Sequence, residues 1–101
     1  MNFLVVRLVK NGMRNIYTEN SFKRDLRRLQ RRGADMKLLH RILLNLQQKV
    51  SLPPSARPHL LQGKWYKYRE CHITNDWLLV YKITETTLFL IRTGSHTDIF
   101  E

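Results

Sequence analysis

Residues 20–50 read NSFKRDLRRLQRRGADMKLLHRILLNLQQKV, and their spacing decides the first half of the fold. Phe22, Leu26 and Leu29 recur at intervals of four and three, with Lys23, Arg24, Arg27, Arg28, Arg31 and Arg32 around the remaining surface. That is the period of a helix with one apolar stripe and one charged face. Asn20 or Ser21 can cap its start, and Gly33 stands where a helix end favours a residue free to adopt positive φ. Asp35 is then the cap of a second helix, striped by Met36, Leu39, Leu43, Leu46 and Val50 and widened by Leu38 and Ile42. Two amphipathic helices joined by about three residues pack as an antiparallel hairpin, which needs a further apolar surface to cover it.

Moving outward, Pro53, Pro54 and Pro58 end the helical region in a stiff, extended connection. After Gly63 the composition turns to β: Trp65-Tyr66-Lys67-Tyr68-Arg69, Trp77-Leu78-Leu79-Val80-Tyr81 and Thr87-Leu88-Phe89-Leu90-Ile91, with turns at Thr74-Asn75 and Thr84-Glu85-Thr86. The expected architecture is α+β, an N-terminal helical hairpin packed on a small antiparallel β-sheet. Residues 1–13 read either as a short strand ending at the Asn11-Gly12 turn or as an extension ahead of Met13, leaving residues 14–101 as the domain proper.

A chain of 101 residues holds one hydrophobic core. Its 18 Lys and Arg against 8 Asp and Glu give a formal charge of +10, so the expected partner is a polyanion. The single cysteine, Cys71, rules out an internal disulfide and reads as a buried thiol in a reducing compartment. The apolar run Phe3 to Val9 is interrupted by Arg7, is far below the roughly 18 residues of a membrane span, and lacks the flanks of a secretory signal. The cytoplasm is the expected compartment.

Three of the four histidines, His59, His72 and His96, fall with Asp76 in the strand-rich half. Imidazole can act as base or acid at neutral pH, and arginine offers a forked donor for phosphate. Metal-free RNA cleavage requires those functions: a base for the attacking 2′-OH, an acid for the departing 5′-oxygen, and positive charge for the phosphorane. His40 lies near the apolar stripe of the second helix and reads as structural or solvated. His72 can meet Asp76 only if the hairpin loop is Ile73 to Asn75; a shorter turn at Thr74-Asn75 sets His72 opposite Trp77. A zinc site of three His and one Asp is chemically acceptable, but no paired-ligand spacing supports it, and Cys71 faces away from His72 on a strand. Phe100, beyond the last strong strand, is free to stack on a base.

The runs His59-Leu60-Leu61-Gln62-Gly63-Lys64-Trp65, Arg69-Glu70-Cys71-His72-Ile73, Asp76-Trp77-Leu78-Leu79-Val80-Tyr81-Lys82, Arg92-Thr93-Gly94-Ser95-His96 and Asp98-Ile99-Phe100 resemble the YafQ branch of the RelE/ParE toxin superfamily. Phe22-Lys23-Arg24-Asp25 and Asp35-Met36 extend the likeness backward, to cover about residues 15–100. The resemblance implies two helices against a small antiparallel sheet and a bacterial type II toxin. Such a toxin is a ribosome-dependent endoribonuclease that cuts mRNA in the A site and is silenced by a cognate antitoxin. It works with no cofactor and no membrane. By motif, His59, His72, Asp76 and His96 take the catalytic positions. Phe100, Arg92 and Lys64 take substrate-binding positions, with Arg92 as phosphate ligand. Arg27, Arg28, Arg31 and Arg32 of the first helix are expected to dock on ribosomal RNA. The competing reading is a non-catalytic basic module that binds RNA or protein. Retention of all four catalytic-type residues favours the enzyme.

Overall fold

The computed structural model describes residues 12–101, so the expectation for residues 1–13 rests mainly on positions outside the described residues. The periodic stretch forms two helices, and a short strand, β1 (Asn15–Thr18), precedes them: α1 spans Asn20–Arg31 and α2 spans Met36–Gln47. Phe22, Leu26 and Leu29 of α1 and Leu39, Ile42, Leu43 and Leu46 of α2 are buried in a single apolar cluster. Each such side chain, taken out of water, contributes about 1.5–3 kcal/mol before entropy is counted.

The ends of these helices follow the sequence in part. Gly33 takes φ +80, and the Ala34 N–H reaches back to the carbonyl of Leu29. The Asp35 carboxylate accepts from the Lys37 N–H at 3.0 Å, as a cap should. At the start of α1, however, Glu19 holds the cap position without a side-chain bond, and the expected cap Ser21 instead donates its hydroxyl to the Ile91 carbonyl at 2.7 Å. Val50, expected in the α2 stripe, is 52% exposed because the helix has already ended at Gln47.

The remaining strands are β2 (His59–Leu60), β3 (Arg69–Thr74), β4 (Trp77–Ile83) and β5 (Thr87–Gly94), followed by a short helix α3 (His96–Phe100). The sheet order is β1-β5-β4-β3-β2. Strands β2 to β5 pair antiparallel as expected, but β1 pairs parallel with β5, so the five-stranded sheet is mixed rather than antiparallel. Strand β1 was not legible because its four residues, Asn-Ile-Tyr-Thr, lie on an edge and are never fully buried. The run Trp65 to Tyr68, expected as strand, is a turn: Gly63 at φ +67 opens a 3₁₀ segment, and the Tyr68 N–H closes on the Trp65 carbonyl at 2.9 Å.

Both faces of the sheet are covered, unequally. Cys71, Leu79, Tyr81, Leu88 and Leu90 join the α1 and α2 side chains in the main cluster. Leu78, Val80 and Ile99 form a second cluster, rimmed by Leu61, Trp65, Tyr68, Ile91 and Phe100. Among the described residues no helix is long and apolar enough to cross a membrane.

Candidate active site

Reading across the strands, the register runs His59–Glu70–Val80–Arg92, and one step further along, His72–Leu78–Gly94. Directly opposed residues of antiparallel strands share a face. His59, Glu70 and His72 therefore stand with Leu78 and Val80 on the face away from the main cluster. Cys71, between Glu70 and His72, points the other way into the core, where burial first and the nearby Glu70 second push its thiol up to about 12. The thiol is buried, as expected.

One residue ties two of the histidines together. Arg57 ends a 3₁₀ turn of Pro54–Ala56 and sits in the left-handed region at φ +46. Its carbonyl accepts from His59 Nδ1 at 2.8 Å, and its Nη2 donates to His72 Nδ1 at 3.1 Å. The other nitrogen of His59, Nε2, lies 3.2 Å from Glu70 Oε1. Between a carbonyl and a carboxylate, both ring nitrogens of His59 donate when the ring is protonated. Neither Arg57 nor Glu70 was singled out from the sequence. Strand parity could have found Glu70, two residues before His72; nothing periodic marks Arg57 between the prolines.

His96 opens α3, where the Ser95 hydroxyl accepts from the Asp98 N–H and the Asp98 carboxylate accepts from the Ser95 N–H, both at 3.0 Å. A Cβ at Gly94 would lie 2.9 Å from Asp98 Oδ2, so only glycine lets β5 run this close to the cap. Arg32 binds the same carboxylate through both terminal nitrogens, at 3.0 and 3.4 Å. That guanidinium, with the Ser95 N–H, holds Asp98 well down, at about 2. One turn on, the Phe100 ring packs 5.0 Å from the His96 ring and 5.5 Å from Trp65. Phe100 is thus half-buried in the second cluster and not free, a correction that follows from α3 folding back onto the sheet.

Arg92 reaches toward α1 rather than into open solvent. Its Nε and Nη2 donate to Asp25 at 2.6 and 3.2 Å, and Nη2 also donates to the Asp98 carbonyl at 3.0 Å. Asp25, nearly fully buried, additionally accepts from the Thr93 N–H and from Arg28. A register shift makes this reach feasible, for Val80 opposes Arg92 while Tyr81 opposes Leu90, leaving Ile91 as an extra residue.

Asp76 is not joined to His72. The turn is Asn75-Asp76, with Thr74 opposite Trp77 and a register shift at Ile73, so His72 faces Leu78 and neither loop weighed from the sequence forms. Ile73 packs against the main core, and absorbing it as a bulge moves the turn one residue along. Asp76 is exposed beside Arg32, Thr74, Ser95 and Asp98 around an open cavity of about 290 Å³. Lys64 is exposed on the turn before Trp65. Of the α1 arginines, Arg27 and Arg31 are exposed, whereas Arg28 and Arg32 are held by Asp25 and Asp98. Among the described residues no group of three or more His, Cys, Asp or Glu is placed to hold a metal ion.

The family model described as the bacterial toxin of the type II toxin–antitoxin system, YafQ, matches residues 14–101. The mRNA interferase toxin YafQ of Escherichia coli is 36% identical over 88 residues, covering 86% of this chain and 96% of its own. A crystal structure of Escherichia coli YafQ superposes with a TM-score of 0.83 at 34% identity, over 87% of this chain and 99% of that one. The Escherichia coli DinJ-YafQ toxin–antitoxin complex gives 0.81 at 34% identity, over 88% and 99% of the two chains. A metal-bound toxin from Helicobacter pylori gives 0.80 at 42% identity, over 87% and 99%.

Proposed function

Since the chain belongs to the YafQ family of bacterial type II toxins, we propose that it is an mRNA interferase, an endoribonuclease held inactive by a cognate antitoxin. The observation that carries this reading is the sheet face opposite the main cluster. His59, Glu70 and His72 stand there in adjacent register rows, with His96 and Phe100 closing one end. In this reading α1 and α2 form an antiparallel hairpin that backs the sheet and leaves that face to the substrate.

Cleavage proceeds by attack of the 2′-oxygen on the adjacent phosphorus. One imidazole takes the 2′-OH proton, the P–O5′ bond breaks, and a second group returns a proton to the departing oxygen. The products are a 2′,3′-cyclic phosphate and a 5′-OH. His59, His72 and His96 are the proton carriers. Asp76 completes the acid–base set from the hairpin turn, beside Ser95 and Asp98. Arg92 keeps Nη1 without a hydrogen bond among the described residues, and this edge is its phosphate contact. Lys64 adds charge, and Phe100 with Trp65 offers an aromatic surface to a base. The substrate is mRNA in the ribosomal A site, in the cytoplasm, and the exposed Arg27 and Arg31 dock on ribosomal RNA. Residues 1–12 are dispensable for this activity, so a chain beginning at Met13 retains it.

The test is to induce the chain without its antitoxin and map both ends of the cut messages. Cyclic or 3′-phosphate ends paired with 5′-OH, and inertness of a message with 2′-deoxy at the cut, are expected. A 5′-phosphate product, or cleavage of the 2′-deoxy message, overturns the mechanism.

A further inference from the structure

We propose that Arg57 is a positioning residue of this site, fixing the tautomer of His72 with its side chain and the orientation of His59 with its backbone. The consequence for cleavage rests on the function proposed above; the tautomer does not.

Guanidinium has donors and no acceptor, so the 3.1 Å bond from Arg57 Nη2 requires His72 Nδ1 to present its lone pair. The ring proton of neutral His72 is then on Nε2, and His72 meets a phosphate oxygen as a hydrogen-bond donor. The neighbouring His59 is set by the same residue in the opposite sense, since the Arg57 carbonyl, 2.8 Å away, requires a proton on Nδ1. Two imidazoles on adjacent strands thus receive different proton placements from one residue. The backbone supports this role. Arg57 adopts φ +46, a left-handed conformation unfavourable for a non-glycine residue, while its carbonyl lies against His59 and its side chain reaches His72. Ala56, fully buried just before it, anchors the turn in the main cluster.

Two variants separate side chain from backbone. Arg57→Gly keeps the carbonyl and tolerates the positive φ, so the fold and the His59 bond persist while His72 loses its donor. Arg57→Lys keeps a donor. The primary readout is the ¹⁵N spectrum of the histidine rings in the purified full chain, without ribosomes. Wild type and Arg57→Lys should show His72 as a single Nε2–H tautomer, and Arg57→Gly should show exchange between the two. The second readout is cleavage of ribosome-bound mRNA, where Arg57→Gly should lower kcat on the order of tenfold with KM little changed, and Arg57→Lys should restore most of it. An unchanged His72 tautomer in Arg57→Gly overturns the proposal, as does a loss confined to KM, which would make Arg57 a direct RNA contact. If the wild-type chain cuts no mRNA, the proposed function falls, and the ring spectra still decide the role of Arg57.

Discussion

On the helix side of the sheet, Asp25 is nearly fully buried and accepts four hydrogen bonds, from Arg28, Thr93 and twice from Arg92. On the opposite face, the His59 side chain is 48% exposed and its neighbour Arg57 holds a left-handed conformation. The first region satisfies its charge internally, from both α1 and β5, and so serves to lock helix to strand. The second leaves polar groups facing solvent at defined positions, and so is available to a substrate. A buried charge is costly unless it is paired, whereas a proton carrier, even one held in place by a partner, must keep one edge open to the substrate. The two sides share Arg92, which binds Asp25 and still borders the site.

The contrast can be broken most severely at Asp25. Removing one partner of a buried charged network leaves the others unpaired, so Asp25→Ala should lower stability by about 3–5 kcal/mol in denaturant titration. A loss below about 1 kcal/mol would mean that Arg92 and Arg28 find water instead, and that the helix side is not locked in this way.

Opposite behaviour is expected on the open face. His72→Ala and His96→Ala should each reduce cleavage about 10²–10⁴-fold, the usual worth of a positioned proton carrier, while stability stays within about 0.5 kcal/mol of wild type. Full toxicity of both variants would remove these histidines from the mechanism. Marked destabilisation would show that the open face also holds the fold together.

A smaller effect sharpens the boundary between the regions, at the Asp98 cap joining β5, α3 and Arg32. The folded carboxyl titrates near 2, below its ordinary value of 3.8, so its contribution is complete above pH 4 and is lost as the pH falls toward 2. Asp98→Asn should cost about 1 kcal/mol at neutral pH, in the range of a lost cap, and should flatten the melting temperature between pH 4 and 2 relative to wild type. Equal pH dependence in both proteins would place the titration elsewhere.

The least structural change is expected on the outer surface of α1. Charge reversal at Arg27 and Arg31, both exposed, should leave the melting temperature nearly unchanged while weakening ribosome binding and making its salt dependence less steep by about one unit per lost phosphate contact. Unaltered binding across salt concentrations would return these arginines to a plain solvated face.

Much of this molecule is determined locally and could be read from the chain. The spacing of Phe22, Leu26 and Leu29 and of Leu39, Leu43 and Leu46 dictated two helices with buried stripes, and Gly33 and Asp35 marked where one stops and the next begins. The hydrophobic runs gave the antiparallel strands β4 and β5, while the run Trp65 to Arg69 ended where β3 begins, and the alternation of Cys71 with His72 correctly turned the thiol inward. These features depend on residues within a few positions of one another, where periodicity is a physical constraint. Tertiary structure decided the rest. The parallel docking of β1, the turn at Asn75-Asp76 that separates Asp76 from His72, the capture of Arg92 by Asp25 and of Phe100 by Trp65, and the bridge from Arg57 to two histidines all join groups without a common local period. Such contacts are selected by which donors, acceptors and rings the folded sheet brings within reach. Chemical type alone could nominate the histidines, but only packing could say which partner each would have.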